Sequence, residues 1–126
     1  GLAKLAAVLS LGGSYEGNEY LSEAACDALH DKHDKKDMGF GTTTFTQGGV
    51  AHFDEVSPRS SKRERSFNCG REGFYGWMGL GGSVFQWHPE HEIGFGYVPT
   101  SLNILDLFNE RAKTYQAEVL KCVAAL

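Results

Sequence analysis

The sequence predicts an α+β protein, in which an antiparallel sheet has a long C-terminal helix packed on it and is preceded by two helices. Three observations predict this class. Apolar residues recur at helical spacing at the start of the chain, at Leu2, Leu5 and Leu9. Segments rich in threonine, aromatic residues and glycine between 38 and 98 have the composition of strands. An apolar stripe of helical period from 105 to 126 predicts an amphipathic helix that faces the core.

The first 37 residues form the helical segment of the predicted fold. Glycines at 12–13 end the first helix, because glycine adopts the left-handed conformation common at helix C-termini. Ser22 is placed to cap a second helix that ends near His30. Residues 31–37 mix both signs of charge, which is typical of a solvated loop.

The rest of the chain is predicted to hold the sheet and the last helix. The predicted strands are 38–45, 50–53, 74–87 and 92–98, with Pro89 in the turn between the last two. Residues 54–72 carry many charges and no apolar period, so we expect a surface loop there. Ser101 is a plausible cap for the C-terminal helix.

Composition and charge argue against several classes of partner. The 126 residues suffice for one domain but not for two independent cores. The net charge of −4 gives no reason to expect nucleic acid or an anionic membrane. No apolar run approaches the roughly 20 residues of a membrane span. Cysteines at 26, 69 and 122 are widely spaced and are expected to be free thiols, which mildly favours a reducing compartment.

The amino terminus indicates a piece of a longer protein. The chain does not begin with Met, and its first five residues resemble sequence from inside a domain. We therefore expect 1–126 to be a single domain or a fragment of one. The helical segment would span 1–37, and the sheet with the C-terminal helix would span 38–126.

The most informative segment is the glycine-dense run Gly76-Trp77-Met78-Gly79-Leu80-Gly81-Gly82-Ser83. Glycines at this density let another group approach the backbone closely. That group is either a neighbouring strand or a substrate that lies along a strand edge, and the sequence leaves both alternatives open.

An ordered set of segments resembles the C-terminal part of the serine β-lactamase-like superfamily. The set consists of the first helix with its two glycines, Leu21-Ser22-Glu23, the glycine-dense run, the Pro89 turn, Ile93-Gly94-Phe95-Gly96-Tyr97-Val98 and the terminal helix. The most similar branch is that of class C β-lactamases, esterases and their eukaryotic relatives. The resemblance covers nearly the whole chain and implies part of a β-lactamase/transpeptidase-like fold. It also implies acyl-transfer hydrolysis of an ester, amide or peptide in a full-length parent.

The resemblance assigns roles to residues of the glycine-dense run. The family's third motif, Lys-Thr-Gly or His-x-Gly, falls on Trp77-Met78-Gly79. An indole carries one N–H and no charge, so Trp77 would line an apolar acyl pocket instead of holding a carboxylate. Leu80 would offer its backbone N–H to the oxyanion hole. The implied substrate-binding residues are Trp77, Met78, Gly79, Gly81 and Gly82.

The family's nucleophile motif, Ser-x-x-Lys, does not occur in the sequence. Ser66-Phe67-Asn68 has the form of the second motif, but it lies too close to Trp77 and is interpreted as chance. We therefore expect the isolated chain to be inactive. Its expected partners are the missing N-terminal half of its own fold or a second copy, with a small acyl substrate in the parent. No cofactor or metal is expected.

Two other functions remain open at this point. A degenerate hydrolase fold could serve as a protein-interaction module through an exposed sheet edge. A free-standing small α+β binding domain is a third possibility. A metal site at His88-Pro89-Glu90-His91 and a triad of Ser83, His52 and Asp54 are both disfavoured, since neither spacing supports the chemistry.

Overall fold

The computed structural model describes residues 1–39 and 41–126, and the predicted α+β class is confirmed. The helices of these residues are Leu2–Ser10 (α1), Glu23–His30 (α2), Lys62–Asn68 (α3) and Glu110–Ala124 (α4). A two-stranded hairpin, Ser14–Tyr15 (β1) and Asn18–Glu19 (β2), joins the first two helices. The main sheet has six strands: Asp34–Asp37 (β3), Thr42–Phe45 (β4), Ala51–His52 (β5), Tyr75–Met78 (β6), Val84–His88 (β7) and Ile93–Tyr97 (β8).

The six strands are antiparallel and lie side by side in chain order. Cross-strand partners share a face, because successive side chains of a strand point to opposite sides. One row of partners, which we name the central row, crosses the whole sheet. It consists of Lys35, Thr44, His52, Tyr75, Trp87 and Gly94.

The face of the central row is covered by α1 and α2. Trp87, Val50 and Ala6 are fully buried and form the core between the sheet and α1. Two glycines of β8 allow the helix to approach the sheet. A Cβ on Gly94 would lie 2.7 Å from the carbonyl oxygen of Ala3. A Cβ on Gly96 would lie 3.0 Å from the backbone nitrogen of Ala3.

The opposite face is covered by α3 and α4. Phe67 of α3 stacks on Phe53 with ring centroids 5.2 Å apart. The C-terminal helix contacts the sheet through a buried amide pair, in which Gln116 Nε2 donates to Oε1 of Gln86. This pair leaves Gln86 Nε2 and Gln116 Oε1 without partners. The helix therefore meets the sheet through this polar contact, beside the buried Ala112 and the packing of Tyr115 on Tyr97.

The prediction that 105–126 forms one core-facing helix is wrong in its start and its buried face. Asn109 has a left-handed backbone (φ 50°), which separates the preceding irregular segment from α4. Leu105 is 85% exposed, and Tyr115 is 59% exposed. The buried residues of α4 are Ala112, which belongs to the predicted stripe, and Gln116, which does not and is buried by its amide pair with Gln86.

Two segments predicted as loops contain regular structure. Residues 34–37 form β3, an edge strand whose four side chains are all exposed. Its charged sequence is compatible with a strand because only its backbone pairs with the sheet. Within 54–72, α3 begins after a complete capping box of Ser61 and Glu64. The Ser-x-x-Glu spacing of Ser61 and Glu64 is a sequence signal for the start of this helix, and the loop prediction did not use it.

The other predicted strands are found with shorter bounds. The strand predicted over 74–87 is two strands, because a turn over 79–83 separates β6 from β7. The strands predicted at 38–45 and 50–53 correspond to β4 and β5. Phe40, which falls within the first of these, lies outside the described residues.

Replacing Gly94 with Ala should destabilise the protein by about 1–3 kcal/mol, because the added methyl group meets backbone atoms of α1 that cannot rotate away. Gly96→Ala is the graded control and should cost less, since its nearest contact is 3.0 Å. Urea unfolding followed by circular dichroism measures both. Equal midpoints for Gly94→Ala and the parent sequence would contradict the close packing of α1.

The buried amide pair can be tested by a double-mutant cycle. Gln116→Leu should cost about 1–3 kcal/mol, since it leaves the Gln86 amide buried without its partner. Adding Gln86→Leu should restore most of this stability, because no buried polar group then remains unpaired. Additive losses in the double variant would show that the two amides do not interact.

Candidate functional site

A largely apolar groove of about 390 Å³ lies at the end of β6, on the side of the sheet that carries α3. Four residues named from the sequence line it together: Trp77, Met78, Gly79 and Leu80. Its other walls come from the β4–β5 hairpin, α3 and the segment before α4. These residues are Met38, Thr43, Phe45, Ala51, Phe53, Phe67, Asp106, Leu107 and Asn109.

The groove exists because β5 is shorter than β6. The two strands pair only at Ala51–Gly76 and His52–Tyr75. The turn between β4 and β5, which precedes β5 in the chain, bends toward α2. There the Gly48 N–H donates to the Ala28 carbonyl oxygen at 2.6 Å. Trp77 and Met78 consequently pair with β7 alone, and their other backbone edge faces the groove. This edge is the kind of surface along which an extended ligand can bind.

The turn after β6 presents the backbone of Leu80. The Gly82 N–H donates to the Gly79 carbonyl oxygen at 3.2 Å, and the Gly79 N–H donates to the Ser83 carbonyl oxygen at 2.8 Å. Leu80 is the first central residue of the turn, a position whose N–H takes no part in the closing bond. Its side chain is 72% exposed. The N–H of Leu80 is therefore available to a ligand at the mouth of the groove.

The backbone of Trp77 borders the groove, but its half-exposed side chain points to the face of the central row, because Trp77 lies two residues from Tyr75 on β6. Its ring stacks on Phe85 at a centroid distance of 6.2 Å with an interplanar angle of 5°. It also contacts Trp87 at 5.9 Å. These contacts hold the indole in place while leaving part of its surface open.

Gly81 and Gly82 lie outside the groove and pack against the segment that leads to α4. A Cβ on Gly81 would lie 3.1 Å from the Leu102 side chain. One on Gly82 would lie 2.7 Å from the Arg111 guanidinium, which donates to the Gly81 carbonyl oxygen. In this structure both glycines make room for neighbouring protein atoms. Close packing within the protein was one of the two alternatives that the sequence left open, and substrate binding was the other.

Arg71 supports the groove from beneath and was not singled out by the sequence, which placed it in a loop. It is fully buried and donates to the Phe108 carbonyl oxygen at 2.8 Å and to the sulfur of Met78. Its guanidinium also lies 5.3 Å from the ring centroid of Phe53. Burial lowers the pKa of Arg71 to about 10, so the group remains cationic at neutral pH. This cation joins β6 to the segment before α4 and so fixes two walls of the groove.

A second cluster of functional side chains lies on the central row, across the sheet from the groove. His52 Nδ1 lies 3.1 Å from Asp54 Oδ1. The other carboxylate oxygen of Asp54 accepts from Thr44 at 2.8 Å and pairs with Lys35 at 2.9 Å. Asp54 and His52 were paired in the disfavoured triad, but their proposed partner Ser83 lies in the turn beyond β6 and is not part of the cluster.

Hydrogen bonds and burial perturb the acid–base groups of this cluster. Bonds from Lys35, Thr44 and His52 outweigh burial and hold the pKa of Asp54 below its ordinary value. Burial lowers the pKa of His52 in spite of the Asp54 carboxylate. An aspartate that accepts from Nδ1 selects the neutral tautomer in which Nε2 carries the lone pair. His52 is thus an oriented, neutral imidazole at physiological pH.

Across residues 1–39 and 41–126, no three His, Cys, Asp or Glu side chains are arranged to hold a metal ion. His88 and His91, discussed above as possible ligands, stack on each other at 4.3 Å. In the same described part of the chain, no helix combines the length and the apolar character needed to cross a bilayer.

Comparison with protein-family models, with curated proteins and with solved structures gave no match to this chain.

Thr44→Val should raise the pKa of Asp54, because it removes an O–H donor to the carboxylate and keeps the shape of the side chain. Thr43→Val, one residue earlier and on the opposite face, is the matched control. Carboxyl-carbon NMR titration measures the change. An unaltered Asp54 titration in Thr44→Val would show that the hydroxyl does not act on the carboxylate.

The same substitution changes stability at acid pH. Because the folded-state pKa of Asp54 lies below its unfolded value near 3.8, its contribution is present above about pH 4 and is lost as the pH falls through the folded-state pKa. Thr44→Val should reduce this acid-dependent loss, and urea unfolding at pH 3 and pH 6 provides the comparison.

Proposed function

We propose that this chain supplies one wall of the acyl-binding site of a β-lactamase-like serine hydrolase. The observation that supports the proposal is the free backbone edge of β6 in the groove, which ends at the available N–H of Leu80. The resemblance of the sequence to the β-lactamase-like superfamily assigns the third motif to this edge. The geometry is compatible with that assignment.

In the proposed reaction, the apolar groove binds the acyl group of an ester, amide or peptide. Met78 and the phenylalanines of the groove contact this group, and Trp77 contributes its backbone edge. The serine oxygen attacks the carbonyl carbon, and its proton passes to a neighbouring base as the tetrahedral oxyanion forms. Leu80 N–H donates to that oxyanion, which stabilises the transition state more than the ground state.

The serine and its base are proposed to come from residues outside this sequence. No Ser-x-x-Lys occurs among the 126 residues. The polypeptide by itself is therefore expected to show no turnover of nitrocefin or p-nitrophenyl esters. Turnover that a serine-directed inhibitor abolishes would contradict the proposal that the serine and its base lie outside these 126 residues.

A second candidate function is protein interaction, and exposed apolar side chains next to the groove favour it. They belong mainly to the segment before α4: Leu102, Ile104, Leu105 and Leu107 are each more than 60% exposed. Such a cluster is typical of a surface that another protein covers. The proposed partner is the remaining half of the hydrolase fold or, as the alternative, a second copy of this chain.

The hydrolase proposal is tested by labelling the natural full-length protein with a fluorophosphonate, which reacts with activated serines. We expect one labelled serine, located by mass spectrometry outside residues 1–126. A protein that resists labelling, and sediments as a complex with a partner or with itself, would favour the interaction function. The two candidates thus predict different results in the same preparation.

The role of Leu80 is tested by two substitutions in that full-length protein. Leu80→Pro removes the backbone N–H, and proline is favoured at the first central position of a turn. It should lower kcat for p-nitrophenyl butyrate on the order of 10²- to 10³-fold. Leu80→Ala keeps the N–H and is the matched control, with a much smaller change expected. Equal kcat values for the two variants would exclude the oxyanion role.

A further inference from the structure

We propose that the end of α2 forms a protonation-sensitive clasp on the central row, closed while His30 is neutral and open to water when it is protonated. The clasp is independent of the hydrolase proposal, since it lies on the other face of the sheet and needs no nucleophile. It combines the aromatic members of the central row with two histidines: His30 at the end of α2, and His33 three residues later.

The sheet side of the clasp is a continuous aromatic surface. His52, Tyr75 and Trp87 are successive cross-strand partners on β5, β6 and β7. The rings of His52 and Tyr75 lie 4.5 Å apart. Trp87 is fully buried, so its indole N–H requires a hydrogen-bond acceptor inside the protein.

His30 supplies that acceptor. Trp87 Nε1 donates to His30 Nε2 at 2.8 Å, and the imidazole packs edge-on against Tyr75 at 4.7 Å. His30 also bonds the backbone of Cys26. Since Nε2 must accept, the ring is held as the neutral tautomer with its proton on Nδ1. Protonation places a second N–H against the indole N–H, and the hydrogen bond cannot persist.

His33 forms the second contact of the clasp. Its ring stacks on His52 at a centroid distance of 4.5 Å and an angle of 23°. His33 Nε2 donates to the His30 carbonyl oxygen at 2.8 Å and lies 3.3 Å from the Tyr75 hydroxyl. Charge repulsion across this stack helps to lower the pKa of His52.

Several charged groups face these histidines from the surrounding elements. Asp27 and Asp31 belong to α2 and its end, and they favour the protonated form of His30. Asp54, already paired with Lys35, favours protonation of His52. His88, Glu55 and Glu90 line the adjoining cleft of about 400 Å³ together with His30, His52 and Tyr75. The clasp therefore lies next to an open cleft through which water can enter.

Burial outweighs these carboxylates and holds the pKa of both His30 and His52 below the ordinary value near 6.5. The unfolded chain consequently binds more protons than the folded chain as the pH falls from about 6.5. The free energy of unfolding decreases through that window, and the loss is complete below the folded-state pKa values.

The opening is local because other bonds hold α2 at every pH. The Gln47 N–H donates to the Asp31 carbonyl oxygen at 2.8 Å, close to the Gly48–Ala28 bond described above. The close approach of α1 to Gly94 and Gly96 of β8 is made by backbone atoms of Ala3 and Ala7, which do not titrate. Protonation thus exposes Trp87 while the sheet and both helices persist.

The clasp is tested by the fluorescence of Trp87 in a Trp77→Phe background, which leaves Trp87 as the single tryptophan. Between pH 8 and pH 5 we expect emission to shift to longer wavelength and acrylamide quenching to increase, with a midpoint below 6.5. Far-UV circular dichroism should stay constant over the same range. An unchanged quenching constant, or loss of the circular dichroism signal in the same transition, would refute a local clasp.

Two variants in this background identify the titrating groups. His30→Gln offers an amide oxygen to the indole and does not titrate, so the transition should be lost or strongly reduced. His91→Gln, an exposed histidine outside the clasp, should leave it unchanged. Should His30→Gln not fold, His33→Gln is used, and the midpoint should move to higher pH, because the charge of His33 no longer lowers the pKa of His30 and His52. A transition unaffected by either clasp substitution would refute the assignment.

Discussion

The fold depends on the burial of Trp87 in the central row of the sheet, together with a hydrogen-bond acceptor for its indole N–H. The six residues of this row range from exposed Lys35 at one edge to Gly94 beneath α1 at the other. Trp87 is the largest fully buried side chain and forms the core with Ala6 and Val50. An indole has a large apolar surface but one obligatory donor, so its burial requires both an apolar helix and a polar acceptor. The first helix satisfies the first requirement, and the histidine at the end of the second helix satisfies the other.

The two faces of β6 and β7 consequently have different chemistry. Trp87 and Tyr75 face two helices and a cluster of histidines, whereas Gln86 and Met78 face the other side, with its amide pair and its apolar groove. The groove owes its existence to the early end of β5, and its shape is maintained by the buried cation beneath Met78. A short strand pair thus connects a proposed acyl site with a titratable cluster on the opposite face.

Part of the candidate site was predictable from residue order. Trp77 to Leu80 are adjacent in the sequence, so they lie close together in any fold. The pairing of Asp54 with His52 needs only a two-residue step along the chain, yet its significance depends on Lys35 and Thr44 from neighbouring strands. His30 and Trp87 are 57 positions apart, and no local pattern indicates that they meet.

The sequence by itself determined the α+β class, the order of the principal elements and the glycine-dense run, since these follow from local periodicity, turn chemistry and composition. Only the tertiary structure decided the rotation of α4, the edge strand at 34–37, the free edge of β6 and the histidine contacts. The physical reason is that these features depend on which buried polar groups find partners. That choice is made between strands and helices distant in the chain, as where the Gln86–Gln116 pair buries a glutamine that lies outside the predicted apolar stripe.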